Sequence, residues 1–116
     1  MVLLCYPKCG TCAKAKAWLD NQGIAYTYRD IQKENPSASE LKAWHNKSGL
    51  PLKRFFNTSG LAYRRLELKD KLKDMDQEAQ YALLATDGLL VKRPLLISDD
   101  FVLTGFQMGR WEDALL

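Results

Sequence analysis

Apolar and polar positions fall into short blocks that predict a strand, a helix and a second strand at the start of the chain. Val2 to Tyr6 is an apolar run bounded by Pro7, the pattern of a short buried strand. Lys8-Cys9-Gly10-Thr11-Cys12 forms a tight turn. From about Thr11 to Asn21, Ala15, Trp18 and Leu19 share one helical face, while Lys14, Lys16 and Asp20 lie off it. Gly23 supplies the stop signal. Ile24 to Arg29 alternates, with Ile24, Tyr26 and Tyr28 on one face of a second strand. A strand–helix–strand opening favours a parallel pair with a right-handed crossover.

The middle reads as helical. Ser37-x-x-Glu40 after Pro36 is a capping box, followed by Leu41 and Trp44 at helical spacing and by Gly49 as a helix stop. Pro51 opens a short helix through Phe55 and Phe56, and Asn57-Thr58-Ser59-Gly60 is a polar loop. Lys69 to Asp74 mixes charge signs and predicts a solvated surface. Met75, Ala79, Ala82 and Leu83 suit the buried face of another helix, stopped by Gly88. Strands then return: Leu95 to Ser98, a turn at Asp99-Asp100, and Phe101 to Thr104 as the second arm of a hairpin. A terminal helix from Arg110 to Leu115 would turn Met108, Trp111 and Leu115 inward. Helices on a mixed four-stranded sheet follow, an α/β fold.

Composition narrows the classes. The 116 residues suit one domain, residues 1–116, and a domain of that size buries roughly two-thirds of its unfolded surface. With 47% hydrophobic and 27% charged residues the chain is globular in type. A net charge of +3 is too weak to imply direct nucleic-acid binding. No apolar run approaches the roughly 18–20 residues of a membrane span. The start lacks a basic segment and a small-residue cleavage site, so a cytoplasmic location is expected. Three cysteines make an odd count, and in a reducing compartment clustered cysteines point to redox, catalytic or metal chemistry rather than to a disulfide scaffold.

Cys9-Gly10-Thr11-Cys12 is a C-x-x-C at a strand-to-helix junction. Free N–H groups and the dipole at a helix start favour a thiolate, and Lys8 and Lys14 add positive charge nearby. Cys9, in the turn, leads as nucleophile; Cys12, in the first helical turn, would resolve the adduct as a disulfide. Cys5, Cys9 and Cys12 also spell C-x-x-x-C-x-x-C, the spacing of a radical iron–sulfur site. Cluster ligands converge from a loop, however, and Cys5 lies in an apolar strand. A zinc site needs four ligands, and His45 is the one histidine, so no metal is expected. Cys5 reads as a small core residue.

Tyr6-Pro7-Lys8-Cys9-Gly10-Thr11-Cys12, Phe55-Phe56-Asn57-Thr58-Ser59-Gly60 with Tyr63-Arg64, and Lys92-Arg93-Pro94-Leu95 together resemble the arsenate reductase/Spx family of thioredoxin-like proteins, in order and over nearly the whole chain. The resemblance implies a thioredoxin-like fold with a helical insertion at about residues 36–90. It places Cys9 at the family's nucleophilic cysteine, Arg93 at its oxyanion-binding arginine and Pro94 at its cis-proline. A guanidinium fork suits a tetrahedral oxyanion or steadies a thiolate. The implied catalytic set is Cys9, Cys12 and Arg93, and the implied substrate-binding set is Lys8, Gly10, Thr11, Asn57, Arg93 and Pro94. Tyr63, Leu66, Leu68 and Lys69 match a further family pattern that reads as packing.

Arsenate reductases bring two further arginines to the anion, and the matching positions here are Asn57 and Gly105. Arg54, Arg64 and Arg110 are the nearby cations that would have to replace them. The resemblance implies a thiol–disulfide oxidoreductase acting on an oxyanion or disulfide. It would carry no bound cofactor and be recharged by thioredoxin, glutaredoxin or glutathione. The C-x-x-C also resembles the Spx branch, which implies the alternative of a redox-sensing regulator that binds RNA polymerase.

Overall fold

The computed structural model describes residues 1–116. Four strands form one mixed sheet: β1 (Val2–Cys5), β2 (Thr27–Asp30), β3 (Leu95–Ile97) and β4 (Val102–Thr104), in the order β2-β1-β3-β4. β1 and β2 run parallel, with Val2 opposite Thr27, and β3 is antiparallel to both β1 and β4. The helices are α1 (Gly10–Asn21), α2 (Ala38–Ser48), α3 (Leu61–Arg65), α4 (Leu68–Lys71), α5 (Gln77–Leu84) and α6 (Met108–Leu115). The segment between β2 and β3 therefore carries α2 to α5.

The pleat of β1 divides the core in two. Leu3 and Cys5 face a cluster with Cys12, Ala15, Trp18 and Leu19 of α1 and Trp111 of α6. Leu4 faces the larger cluster built from the intervening helices, with Leu41, Trp44, Phe55, Tyr81 and Leu84. Residues of opposite pleat on one short strand thus nail two helical layers to the sheet. Trp111 is fully buried; its ring meets Phe106 edge-on at 5.0 Å and Trp18 at 6.2 Å, and its indole N–H donates to the Gly105 carbonyl at 3.0 Å.

Local chemistry accounts for α2. The Glu40 N–H donates to Ser37 Oγ at 3.1 Å and the Ser37 N–H donates to Glu40 Oε1 at 3.0 Å, a complete capping box. Gly49 closes the helix in the left-handed conformation at φ 67°. Arg29 of β2 then clamps α2 to the sheet: its two terminal nitrogens donate to Glu40 at 2.7 and 3.0 Å, and its Nε donates to the Glu34 carbonyl at 2.9 Å.

Several expectations need correction. β2 spans Thr27–Asp30 rather than Ile24 to Arg29, because backbone pairing with β1 begins at Thr27; Tyr28 is 42% exposed on this edge strand. α5 buries Tyr81 and Leu84, while Ala82 is exposed, so its inward face is turned from the expected one. That helix ends at Leu84, not at Gly88. Gly88 serves a different purpose: a Cβ there would fall on the Ile31 carbonyl oxygen, well inside contact distance. Met108 is exposed at the first position of α6, two residues earlier than the predicted start. α3 and α4 were not expected as helices; each is one turn or little more, held by buried Tyr63 and Leu68. Lys69 to Asp74 is helical yet solvated, apart from half-buried Leu72.

Candidate active site around Cys9, Cys12 and Arg93

The turn after β1 delivers Cys9 to the N-cap of α1. Its backbone is extended, its N–H donates to the Tyr6 carbonyl at 2.9 Å, and its carbonyl accepts from the Ala13 N–H at 3.1 Å. No side chain caps the helix, and its first turn carries no acidic residue. The N–H groups that begin α1 are thus left for an anion or a thiolate. Gly10 has open space around it, and Lys8 and Thr11 are exposed beside it.

Cys12 lies one turn in and is 3% exposed. Its Sγ accepts the Tyr6 N–H at 3.5 Å. A hydrogen bond from Cys5 holds the Cys12 thiol below its ordinary range, against the opposing effect of burial; the Tyr6 N–H, Cys9 and the positive charge of Arg93 act in the same direction as Cys5. Cys5 is moved the opposite way by the same hydrogen bond and by burial, so it stays protonated. All three thiols are free.

Arg93 reaches this group from the segment just before β3, the strand paired with β1. Its peptide to Pro94 is cis. The guanidinium lies 5.3 Å from the centre of the Tyr6 ring and donates from one terminal nitrogen to the Leu89 carbonyl at 3.2 Å. Its Nε is buried without a partner, and no carboxylate pairs with it. Arg93 therefore keeps donors in reserve.

Beside Arg93 opens a cleft of about 700 Å³. Asn57, Arg65, Leu61, Leu66 and Asp87 line it together with Arg93. Asn57 Nδ2 donates to the same Leu89 carbonyl at 3.4 Å, so Asn57 and Arg93 converge on one oxygen. The Asp87 carboxylate is occupied in capping the turn at Gly88–Leu90 through the Leu89 N–H. The cleft is left with two guanidinium groups and a hydrophobic lip, since Leu61 is 67% exposed.

The structure sorts the candidate residues into two neighbouring groups joined by Arg93. Lys8, Cys9, Gly10, Thr11 and Cys12 gather at the start of α1. Asn57 shares the cleft with Arg93, and Pro94, next to Arg93 in the chain, is buried. Of the cations considered as replacements, Arg54 sits with Lys53 and Lys92 in a separate hollow, and Arg110 lines another groove with Ser48 and Trp111. Arg65, one residue along from Arg64, is the one that lines the cleft; only the short α3 turn decides which of the pair faces it. Gly105 takes φ 69°, and a Cβ there would meet Lys92 Cε at 3.2 Å. Sequence reasoning also missed the approach of Cys5 to Cys12. The alternation of β1, which puts Leu3 and Cys5 on the α1 face, carried that signal.

The ArsC family profile matches residues 4–114. The chain belongs to the ArsC family. It is 51% identical to the protein YusI of Bacillus subtilis (strain 168) over 93% of this chain and 92% of that one. A solved structure of an ArsC-family-related protein from Bacteroides fragilis superposes with a TM-score of 0.94 at 54% identity, covering 97% of this chain and 94% of that one. The global transcriptional regulator Spx of Staphylococcus epidermidis is 26% identical over 91% of this chain and 79% of its own length. The thioredoxin-like α/β architecture of ArsC relatives is thus the fold of this chain, and no helix is long and apolar enough to cross a membrane.

Proposed function

We propose that this ArsC-family chain is a cytoplasmic thiol–disulfide oxidoreductase with Cys9 as nucleophile and Cys12 as resolving thiol. The observation that carries the reading is the pair itself: Cys9 at the uncapped start of α1, and Cys12 one turn in, with its thiol already drawn toward the thiolate. The Cys9 thiolate would attack an oxidised substrate to form a covalent adduct, displacing an oxygen of an oxyanion as water or one sulfur of a disulfide as a thiolate. Cys12 would then attack Cys9 Sγ, forming the Cys9–Cys12 disulfide and expelling the reduced substrate with the electron pair. Thioredoxin, glutaredoxin or glutathione would return the dithiol. Arg93 supports the step by offering unspent donors and positive charge to an anionic substrate, with Lys8, Gly10, Thr11, Asn57 and Pro94 shaping its surroundings.

The test is consumption of reducing equivalents with arsenate or a small disulfide, supplied with a thioredoxin or a glutathione–glutaredoxin system. Turnover should vanish in Cys9→Ser. Full turnover in that variant sinks the proposal.

A second reading is favoured by Asn57 and Gly105, which put no cation where the resemblance to arsenate reductases asks for two, and by the relationship to Spx. On that reading the C-x-x-C is a redox switch and RNA polymerase is the partner. Retention of polymerase by the oxidised form, with no turnover of any substrate, would select it.

A further inference from the structure

Cys5 is the one thiol that the proposed reaction leaves unused. It ends β1 with its side chain on the α1 face of the sheet, 1% exposed. Cys12 Sγ sits against the peptide that follows Cys5, accepting the Tyr6 N–H at 3.5 Å, and Cys5 and Cys12 lie in one buried cluster between β1 and α1. Cys9, half-buried, packs against that cluster, and no group of three ligands closes around a metal position. A small cavity of about 120 Å³ flanks the inner pair, lined by Cys5, Cys12, Tyr6, Lys16 and Tyr28.

We propose that Cys5 is a second resolving thiol, which takes the disulfide over from Cys9 and moves it inward as Cys5–Cys12. The proposal rests on the reading of Cys9 and Cys12 given above. In the step, Cys5 loses its proton to solvent and attacks Cys12 Sγ. The Cys5–Cys12 bond forms, the Cys9–Cys12 bond breaks, and the electron pair leaves on Cys9 as a thiolate. The exchange is internal: one disulfide is lost and one gained, with no further oxidant. Because Cys5 is held protonated at rest, the exchange speeds up as pH rises. Its consequence is an oxidised chain in which Cys9 is again a free thiol at the surface, while the disulfide is sealed under α1 and slow to meet an external reductant.

Disulfide mapping of the full chain tests this directly, because trypsin cuts after Lys8 and after Lys14. A Cys9–Cys12 bond closes within one peptide, whereas a Cys5–Cys12 bond joins residues 1–8 to residues 9–14. The protein is oxidised with diamide, quenched in acid and mapped by mass spectrometry. In the unaltered chain both linkages are expected, the joined-peptide form gaining severalfold between about pH 6 and about pH 9. Cys9→Ser should still form Cys5–Cys12, and Cys5→Ala should lose the joined peptides while keeping Cys9–Cys12. Native alkylation of the oxidised chain should label Cys9, and that labelling should disappear in Cys5→Ala. Cys9–Cys12 in the unaltered chain, with no joined peptides there or in Cys9→Ser, overturns the relay and leaves the proposed function standing. No disulfide of either kind overturns both.

Discussion

The clamp between Arg29 and Glu40 makes the attachment of α2 to the sheet dependent on pH. Glu40 accepts two hydrogen bonds from the guanidinium and one from the Ser37 N–H, and together these lower its pKa from 4.5 to about 2. At about 1.36 kcal/mol per pH unit, that difference sets a ceiling of roughly 3 kcal/mol. The Arg29 side chain is 20% exposed and the Glu40 side chain 38%, so solvent screening reduces the contribution to about 1–2 kcal/mol. Between the two pKa values the unfolded chain binds more protons than the folded one, so this stability is complete above 4.5 and is lost as pH falls toward about 2. Glu40→Gln removes the charge while keeping the shape. Urea unfolding followed by circular dichroism should find the variant less stable by about 1–2 kcal/mol at neutral pH. The gap should close as the pH falls through that window, and molar salt should narrow it at neutral pH. A gap that stays constant down to about pH 2 would refute the reasoning, since the loss would then not come from the ionised carboxylate.

Three further outcomes are expected. Gly88→Ala should destabilise the fold by about 2–3 kcal/mol or prevent its accumulation, because the added Cβ meets the backbone of Ile31 rather than a movable side chain; an unchanged urea midpoint would contradict this. Trp111→Ala should cost about 3–5 kcal/mol, read as a lowered midpoint, because it empties the aromatic cluster that holds α6 on α1. Arg93→Lys should keep the fold but reduce kcat/KM for an anionic substrate by roughly 10–100-fold, since a point charge replaces a fork of charge-assisted donors. Equal kcat/KM in that variant would remove Arg93 from substrate binding.

Much of the architecture was legible because short-range patterns coincide with the final structure. The apolar period of Ala15, Trp18 and Leu19 marks α1, the Ser37–Glu40 box marks α2, and the Leu95 and Phe101 runs mark the hairpin. Errors fall where local pattern is weak and distant partners decide. β2 is an exposed edge strand, so its alternation says little, and its limits follow from pairing with β1. α5 has several apolar residues on adjacent faces, and only packing against α2 selects Tyr81 and Leu84. α3 and α4 are too short to announce themselves by periodicity.

For the site, the sequence by itself determined the chemistry available: two cysteines separated by two residues at a helix start, and an Arg-Pro pair entering a late strand. Those are local facts, set by covalent spacing and by the dipole of the helix that follows. The tertiary structure alone decided which groups meet. It brought Arg93 over Tyr6, turned Arg65 rather than Arg64 into the cleft beside Asn57, and set Cys5 and Cys12 in one buried cluster beside a shared cavity. Each of these depends on how strands distant in sequence pair and on which face a short helix buries. That information resides in packing between layers, where no single segment contains it.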